Sequence, residues 1–169
     1  MHVAKDILMN PDNSFGQNAA DFIHADDEEN GGLATDLYLC VGFPVMLRLN
    51  EDVSQGLANG AIGHITHFDL DEGVLEVKFK DKSVGKRFRS GSHRASPDGS
   101  IKFYPTPKIF KGKGGMEITR FQFPFVNCWA CTIHKAQGRS EAEICVNLGP
   151  GMSKPALAYA YGFPTTRYI

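Results

Sequence analysis

Thr132, His134, Lys135, Gln137 and Gly138 fall within one short run, Trp129-Ala130-Cys131-Thr132-Ile133-His134-Lys135-Ala136-Gln137-Gly138. A hydroxyl, an imidazole, an ammonium and a carboxamide this close together have little use in a folding core. They are donors suited to phosphate and sugar oxygens, and the closing glycine lets a backbone approach a ligand closely. The run is entered from an apolar aromatic stretch, Phe121-Gln122-Phe123-Pro124-Phe125-Val126.

Three other groups of residues have chemistry to weigh. Cys128, Cys131 and His134 have the Cys-x₂-Cys spacing of a metal knuckle, but no second pair follows at finger spacing. Cys40 and Cys145 sit in apolar runs, so the thiols read as small hydrophobes and no metal site is expected. Leu70-Asp71-Glu72-Gly73 looks like a magnesium carboxylate pair but has the composition of a hairpin turn. Lys78-Phe79-Lys80-Asp81-Lys82, Lys86-Arg87-Phe88-Arg89 and His93-Arg94 interleave cations with aromatics, which suits phosphates and bases. The expectation is a basic face meeting nucleic acid through Lys86 and Arg87, with the rings mostly inside. Asn59 lies in a Gly-Leu-Ala-Asn-Gly turn, where a nucleic-acid contact is secondary to the turn itself.

Positioning these residues calls for strands first and helices late. Residues 1–34 read as an acidic, weakly structured segment, with a short helix near Ala4–Met9. Short strands follow at Leu37–Cys40 and Val45–Leu49, then a hairpin of Ala61–Phe68 and Val74–Lys80, a further strand at Lys86–Arg89, and one at Ile101–Tyr104. Such close spacing predicts a small barrel over residues 35–116. Residues 117–169 read as a buried strand at Ile118–Val126, a helix at Asn127–Gln137, a strand at Ile144–Leu148 and a helix opened by Ser153-Lys154-Pro155 and running through Tyr161. The fold class expected is α/β with a β-barrel insertion.

The 169 residues can bury a sizeable core, with about 70% of the unfolded surface removed from water. No apolar run approaches the ~18 residues of a membrane span, and the start lacks the pattern of a signal peptide. An intracellular chain without a membrane partner is therefore expected. A net charge of −1 hides an asymmetry. Residues 1–76 hold 2 Lys/Arg and 14 Asp/Glu, whereas residues 77–169 hold 16 and 5, balances of −12 and +11. The basic half suits a polyanion, or the two halves attract each other.

Two blocks carry a family resemblance. The Thr-x-His-Lys-x-Gln-Gly run closely resembles motif V of the superfamily 1 DNA helicases, above all the petite-integration-frequency family and its RecD-like relatives. Leu37–Asn50 with Gly56-Leu57-Ala58-Asn59-Gly60-Ala61-Ile62-Gly63 resembles the strand and Gly-Leu-x-Asn-Gly turn that open the small barrel of that family's second motor domain. The blocks occur in the family's order, and with the strands between and after them they cover residues 35–149.

The resemblance implies a partial RecA-like motor domain carrying a small Src-homology-like β-barrel. It implies a C-terminal fragment of an ATP-dependent 5′-to-3′ DNA helicase, using ATP and Mg2+ in the complete enzyme. Repair, recombination and telomere maintenance follow as family roles, and the nucleus as the location in a eukaryote, otherwise the cytoplasm. By family position Thr132, His134 and Lys135 contact single-stranded DNA. Gln137, Gly138 and Ser140 face the nucleotide. Arg167 stands where motif VI puts its γ-phosphate arginine, although Pro164 interrupts the helix expected there. No Gly-x₄-Gly-Lys-Ser/Thr loop occurs in the sequence, so the first RecA-like motor domain would have to act in cis or in trans. The alternatives are a stand-alone nucleic-acid-binding module without ATPase activity and a barrel serving protein interaction.

Overall fold

The computed structural model of the chain describes residues 2–3, 5–9, 19–27, 29–130, 144–146 and 166–168. They fall in two compact units, Met1–Trp129 and Ala130–Ile169. In chain order the strands are β1 His2–Val3, β2 Lys5–Met9, β3 Asp36–Leu37, β4 Pro44–Leu47, β5 Ile62–Asp69 and β6 Val74–Phe79. They continue as β7 Ile101–Phe103, β8 Thr106–Lys111, β9 Glu117–Gln122, β10 Phe125–Asn127, β11 Ile144–Val146 and β12 Thr166–Tyr168. Short 3-10 turns link them, and the described residues contain no α-helix.

The first unit holds a five-stranded sheet, β10-β4-β5-β6-β7, and a three-stranded sheet, β2-β9-β8. Alternation builds the larger one. Along β6, Val77 and Phe79 are buried while Lys78 between them is half-buried and Lys80 beyond is exposed, so one face enters the core and the other is basic. The β5–β6 hairpin turns where expected, because the Asp69 carboxylate accepts from the backbone N–H groups of Asp71 (2.9 Å) and Glu72 (3.0 Å). The two strands at the ends of this sheet meet in the core. Phe103 of β7 and Phe125 of β10 stand edge to face, with ring centroids 4.7 Å apart. Contacts of that kind add about 0.5–1.5 kcal/mol to the burial itself.

Several expectations are corrected. Residues 5–9 form no helix; they are β2, paired antiparallel with β9 from Lys5 opposite Phe121 to Met9 opposite Glu117. Pairing with a central strand outweighs weak local helix propensity. Lys86–Phe88 is a 3-10 turn instead of a strand, because Gly85 turns the chain at φ 66°. The strand expected over Ile118–Val126 is two strands, β9 and β10, broken at Phe123-Pro124, and they join different sheets. At Leu37–Cys40 only Leu37 is in a strand. β8 has no counterpart in the sequence reading. Pro107 speaks against a strand, but β8 is a sheet edge, where a missing N–H costs little.

Pairings cross residue 116, since β9 lies against β8 and β10 against β4. The expected helices lie mainly at residues outside those described. In the second unit β11 and β12 pair in parallel, Cys145 opposite Arg167.

The acidic segment is bound to the sheets through Arg120. This side chain is fully buried on β9. Its guanidinium meets the Asp6 carboxylate at two points, Nε to Oδ1 and Nη2 to Oδ2, both 2.8 Å. Nη1 donates to the Leu33 carbonyl at 2.8 Å and lies 3.5 Å from Asp27. Asp27 in turn accepts from the Thr35 N–H and hydroxyl. Leaving such a charge unpaired costs about 3–5 kcal/mol. Asp6→Ala is therefore expected to destabilise the first unit by about that much in urea unfolding. Asp6→Leu with Arg120→Met, which removes both charges, should recover most of the loss. An unchanged urea midpoint in Asp6→Ala would mean that the pair does not hold β2.

Candidate nucleic-acid interface

The basic segment between β6 and β7 is a braced loop. At its start the Asp81 carboxylate accepts from the Ser83 N–H (2.8 Å) and hydroxyl (2.7 Å). Gly85 then turns the chain with positive φ, and a side chain there would run into Ile101 and Leu57. The Gly85 N–H donates to the Gln55 carbonyl at 2.6 Å, and the Arg87 N–H to the Gln55 side-chain oxygen at 3.1 Å. The basic loop is thus clamped to the loop that carries Asn59. Asn59 itself is exposed, its N–H held by the Asn50 side chain at 2.8 Å.

Two of the loop's arginines are structural. Arg89 donates to the carbonyls of Asp81 (2.9 Å) and Val84 (3.0 Å). Arg94 pairs with Glu51 at 2.8 Å, donates to the Lys102 carbonyl at 2.8 Å, and stacks over Phe88 and Phe103. Lys86, Arg87 and His93 remain exposed. Between Arg87 and His93 opens a cleft of about 660 Å³, lined also by Phe88, Ser90, Gly91 and Ser92. No carboxylate lines it.

Of the sequence-predicted residues, the structure brings Lys86 and Arg87 against the Asn59 loop. Thr132, His134, Lys135, Gln137, Gly138 and Ser140 lie outside the described residues. Arg167 is placed by its backbone on β12. The approach to the motif-V-like run is visible. Asn127 exchanges two hydrogen bonds with the Tyr38 backbone, 3.0 and 2.8 Å. The Cys128 N–H donates to the Pro44 carbonyl, and Trp129, 60% exposed, meets Phe43 edge to face. Sequence reasoning passed over Gln55, Glu51, Ser90 and Ser92. Ser90-Gly91-Ser92 between two arginines was the available signal, since a glycine flanked by hydroxyls marks a turn that can present donors.

No protein-family model matches the sequence. Among curated proteins, the ATP-dependent DNA helicase PIF1 of Xenopus laevis is 39% identical over 99 residues, 59% of this chain and 13% of its own length. Its namesake in Danio rerio is 35% identical over 103 residues (60% and 14%), and that of Homo sapiens 31% over 114 (67% and 15%). The chain is a relative of the Pif1 helicases. Solved Pif1 structures share its fold. The Candida albicans Pif1 helicase aligns with a TM-score of 0.61 at 17% identity, covering 99% of this chain and 38% of that one. The Bacteroides Pif1 helicase, solved with ADP-AlF3 and single-stranded DNA, aligns with a TM-score of 0.58 at 20% identity, covering 98% and 33%. The chain thus spans about one seventh of the length of its curated Pif1 relatives.

Two carboxylates bracket the basic loop of this Pif1 relative. The Ser83 N–H and hydroxyl, and then Arg89, hold Asp81 below the ordinary carboxylate range. The Ser100 hydroxyl and N–H, and then Lys78, do the same for Asp98. A depressed folded value gives stability that is complete above the unfolded value, about 3.9, and is lost as pH falls through the folded one. Acidification below about pH 4 should therefore lower the urea midpoint. Asp98→Asn should make that acid limb shallower. Superimposable limbs would show that the Asp98 cap does not contribute.

Proposed function

We propose that the chain supplies part of the DNA grip and of the nucleotide site of an ATP-dependent 5′-to-3′ DNA helicase. The observation that carries this reading is the identity of 31–39% to proteins named ATP-dependent DNA helicase PIF1. In this reading the five-stranded sheet is the small Src-homology-like barrel. The contact between the rings of its end strands, Phe103 and Phe125, supports closure of that kind. The second unit is the last part of a RecA-like domain, and the parallel β11–β12 pair supports it.

Thr132, His134 and Lys135 contact the single-stranded DNA backbone. Asn59, Lys86 and Arg87 add contacts from the barrel. Gln137, Gly138 and Ser140 face ATP with its Mg2+, and Arg167 approaches the γ-phosphate. The first motor domain, in cis or in trans, brings the phosphate loop. Because motif V touches both ligands, one segment links nucleotide state to DNA grip. A second reading is a nucleic-acid-binding module without ATPase activity, in which the exposed Lys86, Arg87 and His93 meet a strand by themselves.

Single-stranded DNA should bind with little sequence preference. Its affinity should fall with salt by a slope of about −0.7 per phosphate neutralised. Lys135→Ala should weaken binding to all sequences alike. A flat salt dependence would remove the electrostatic footprint. The 169-residue chain alone should not turn over ATP, whereas addition of a first Pif1 motor domain should produce DNA-stimulated turnover. Turnover by the isolated chain would overturn the division of the site. No turnover with the added domain would favour the module.

A further inference from the structure

We propose that the cleft between Arg87 and His93 is a built seat for one unit of a single-stranded DNA backbone, with Ser90 and Ser92 as phosphate donors beside the two cations. The inference rests on the reading that the chain binds DNA, and adds a site within the first unit. Its composition is the first argument. The lining offers a guanidinium, an imidazole, two hydroxyls and a phenyl ring, and no carboxylate. A guanidinium and hydroxyls recognise phosphate oxygens, and a ring edge suits a sugar or base. Gly91, at φ 70° with no atom within 4 Å of where a Cβ would stand, leaves the mouth open to a strand.

Preorganisation is the second argument. The loop does not depend on the ligand for its shape. Arg89 ties it to the carbonyls of Asp81 and Val84, Arg94 ties its far end to Glu51 and the Lys102 carbonyl, and Gln55 holds Gly85 and Arg87. The Arg89 guanidinium donates to carbonyls here, with the Asp81 carboxylate as its counter-charge. The Arg94 N–H donates to the Ser92 hydroxyl oxygen at 3.2 Å, which leaves that hydroxyl's proton to donate outward. Binding then pays little ordering entropy. Size is the third argument. A cleft of 660 Å³ lies in the range of small-ligand sites, about 300–1,000 Å³. That leaves room for a sugar and base beside the phosphate.

The test uses the full 169-residue chain and a fluorescein-labelled oligodeoxythymidine, followed by anisotropy across a salt series. Arg87→Ala should weaken binding about tenfold and make the salt slope shallower by about 0.7. Arg87→Lys should keep the slope and lose part of the affinity, because it retains the charge and lacks the fork. Ser90→Ala and His93→Ala should each cost about threefold. Urea midpoints equal to that of the unaltered chain would confirm that these exposed changes leave the fold intact. If Arg87→Ala with His93→Ala binds like the unaltered chain while Lys135→Ala is weakened, the cleft is no seat and the DNA reading stands. If the chain fails to bind the oligonucleotide but inorganic phosphate shifts the Ser90, Ser92 and His93 amide resonances, the nucleic-acid assignment of the cleft is overturned. Binding of neither probe overturns the seat and the DNA reading together.

Discussion

A buried guanidinium organises the first unit. Arg120 sits on the middle strand of a three-stranded sheet with no access to water, and a charge there is tolerated only if carboxylate and carbonyl oxygens surround it. Asp6 supplies the carboxylate from the neighbouring strand, Leu33 a carbonyl from the following loop, and Asp27 a second, longer contact. One side chain therefore fixes two segments that are remote from it in sequence, β2 and the loop before β3. The Phe110 ring, 5.5 Å from the guanidinium carbon, closes the remaining side. Asp27 also holds the Thr35 backbone just before β3, so the route into the larger sheet starts from the same cluster.

That arrangement gives the charge asymmetry a second meaning. Some of the acidic residues of the first half serve as internal counter-ions for arginines of the second. Asp6 and Asp27 meet Arg120, and Glu51 meets Arg94. Attraction between halves and a cationic outer surface are thus compatible. Carboxylates neutralise arginines that brace the structure, while Lys86, Arg87 and His93 stay exposed on the loop whose far end Arg94 braces.

The two sheets and the basic loop depend on close approach. Gly85 lets the loop lie over Leu57 and Ile101, and Gln55 then bonds it to the Gly-Leu-Ala-Asn-Gly turn. A surface built in this way is rigid for a physical reason. The backbone N–H groups of Lys86 and Arg87 already have partners in Ser83 and Gln55. A polyanion would meet a shaped, positive surface, and the affinity would depend on salt more than on sequence.

Period and turn chemistry by themselves determined the β5–β6 hairpin, the burial of Val77 and Phe79 and the turn at Asp69–Gly73, because alternation and Asx turns are local properties. The ordered motifs by themselves point to the helicase relationship, since residue types at fixed spacing are also local. Tertiary structure alone decided the rest. Lys5–Met9 became a strand because β9 offered it an edge and Arg120 required Asp6, a partner 114 residues away. Thr106–Lys111 could be a strand despite Pro107 because it fell at a sheet edge, which no window of sequence reveals. Arg87 and Arg94 look alike in the sequence, both being cations of one basic segment. Only the position of Glu51, Phe103 and the Lys102 carbonyl made Arg94 a brace and left Arg87 facing the cleft. Long-range pairing decides which charges a fold keeps for itself, and that is not encoded in any short segment.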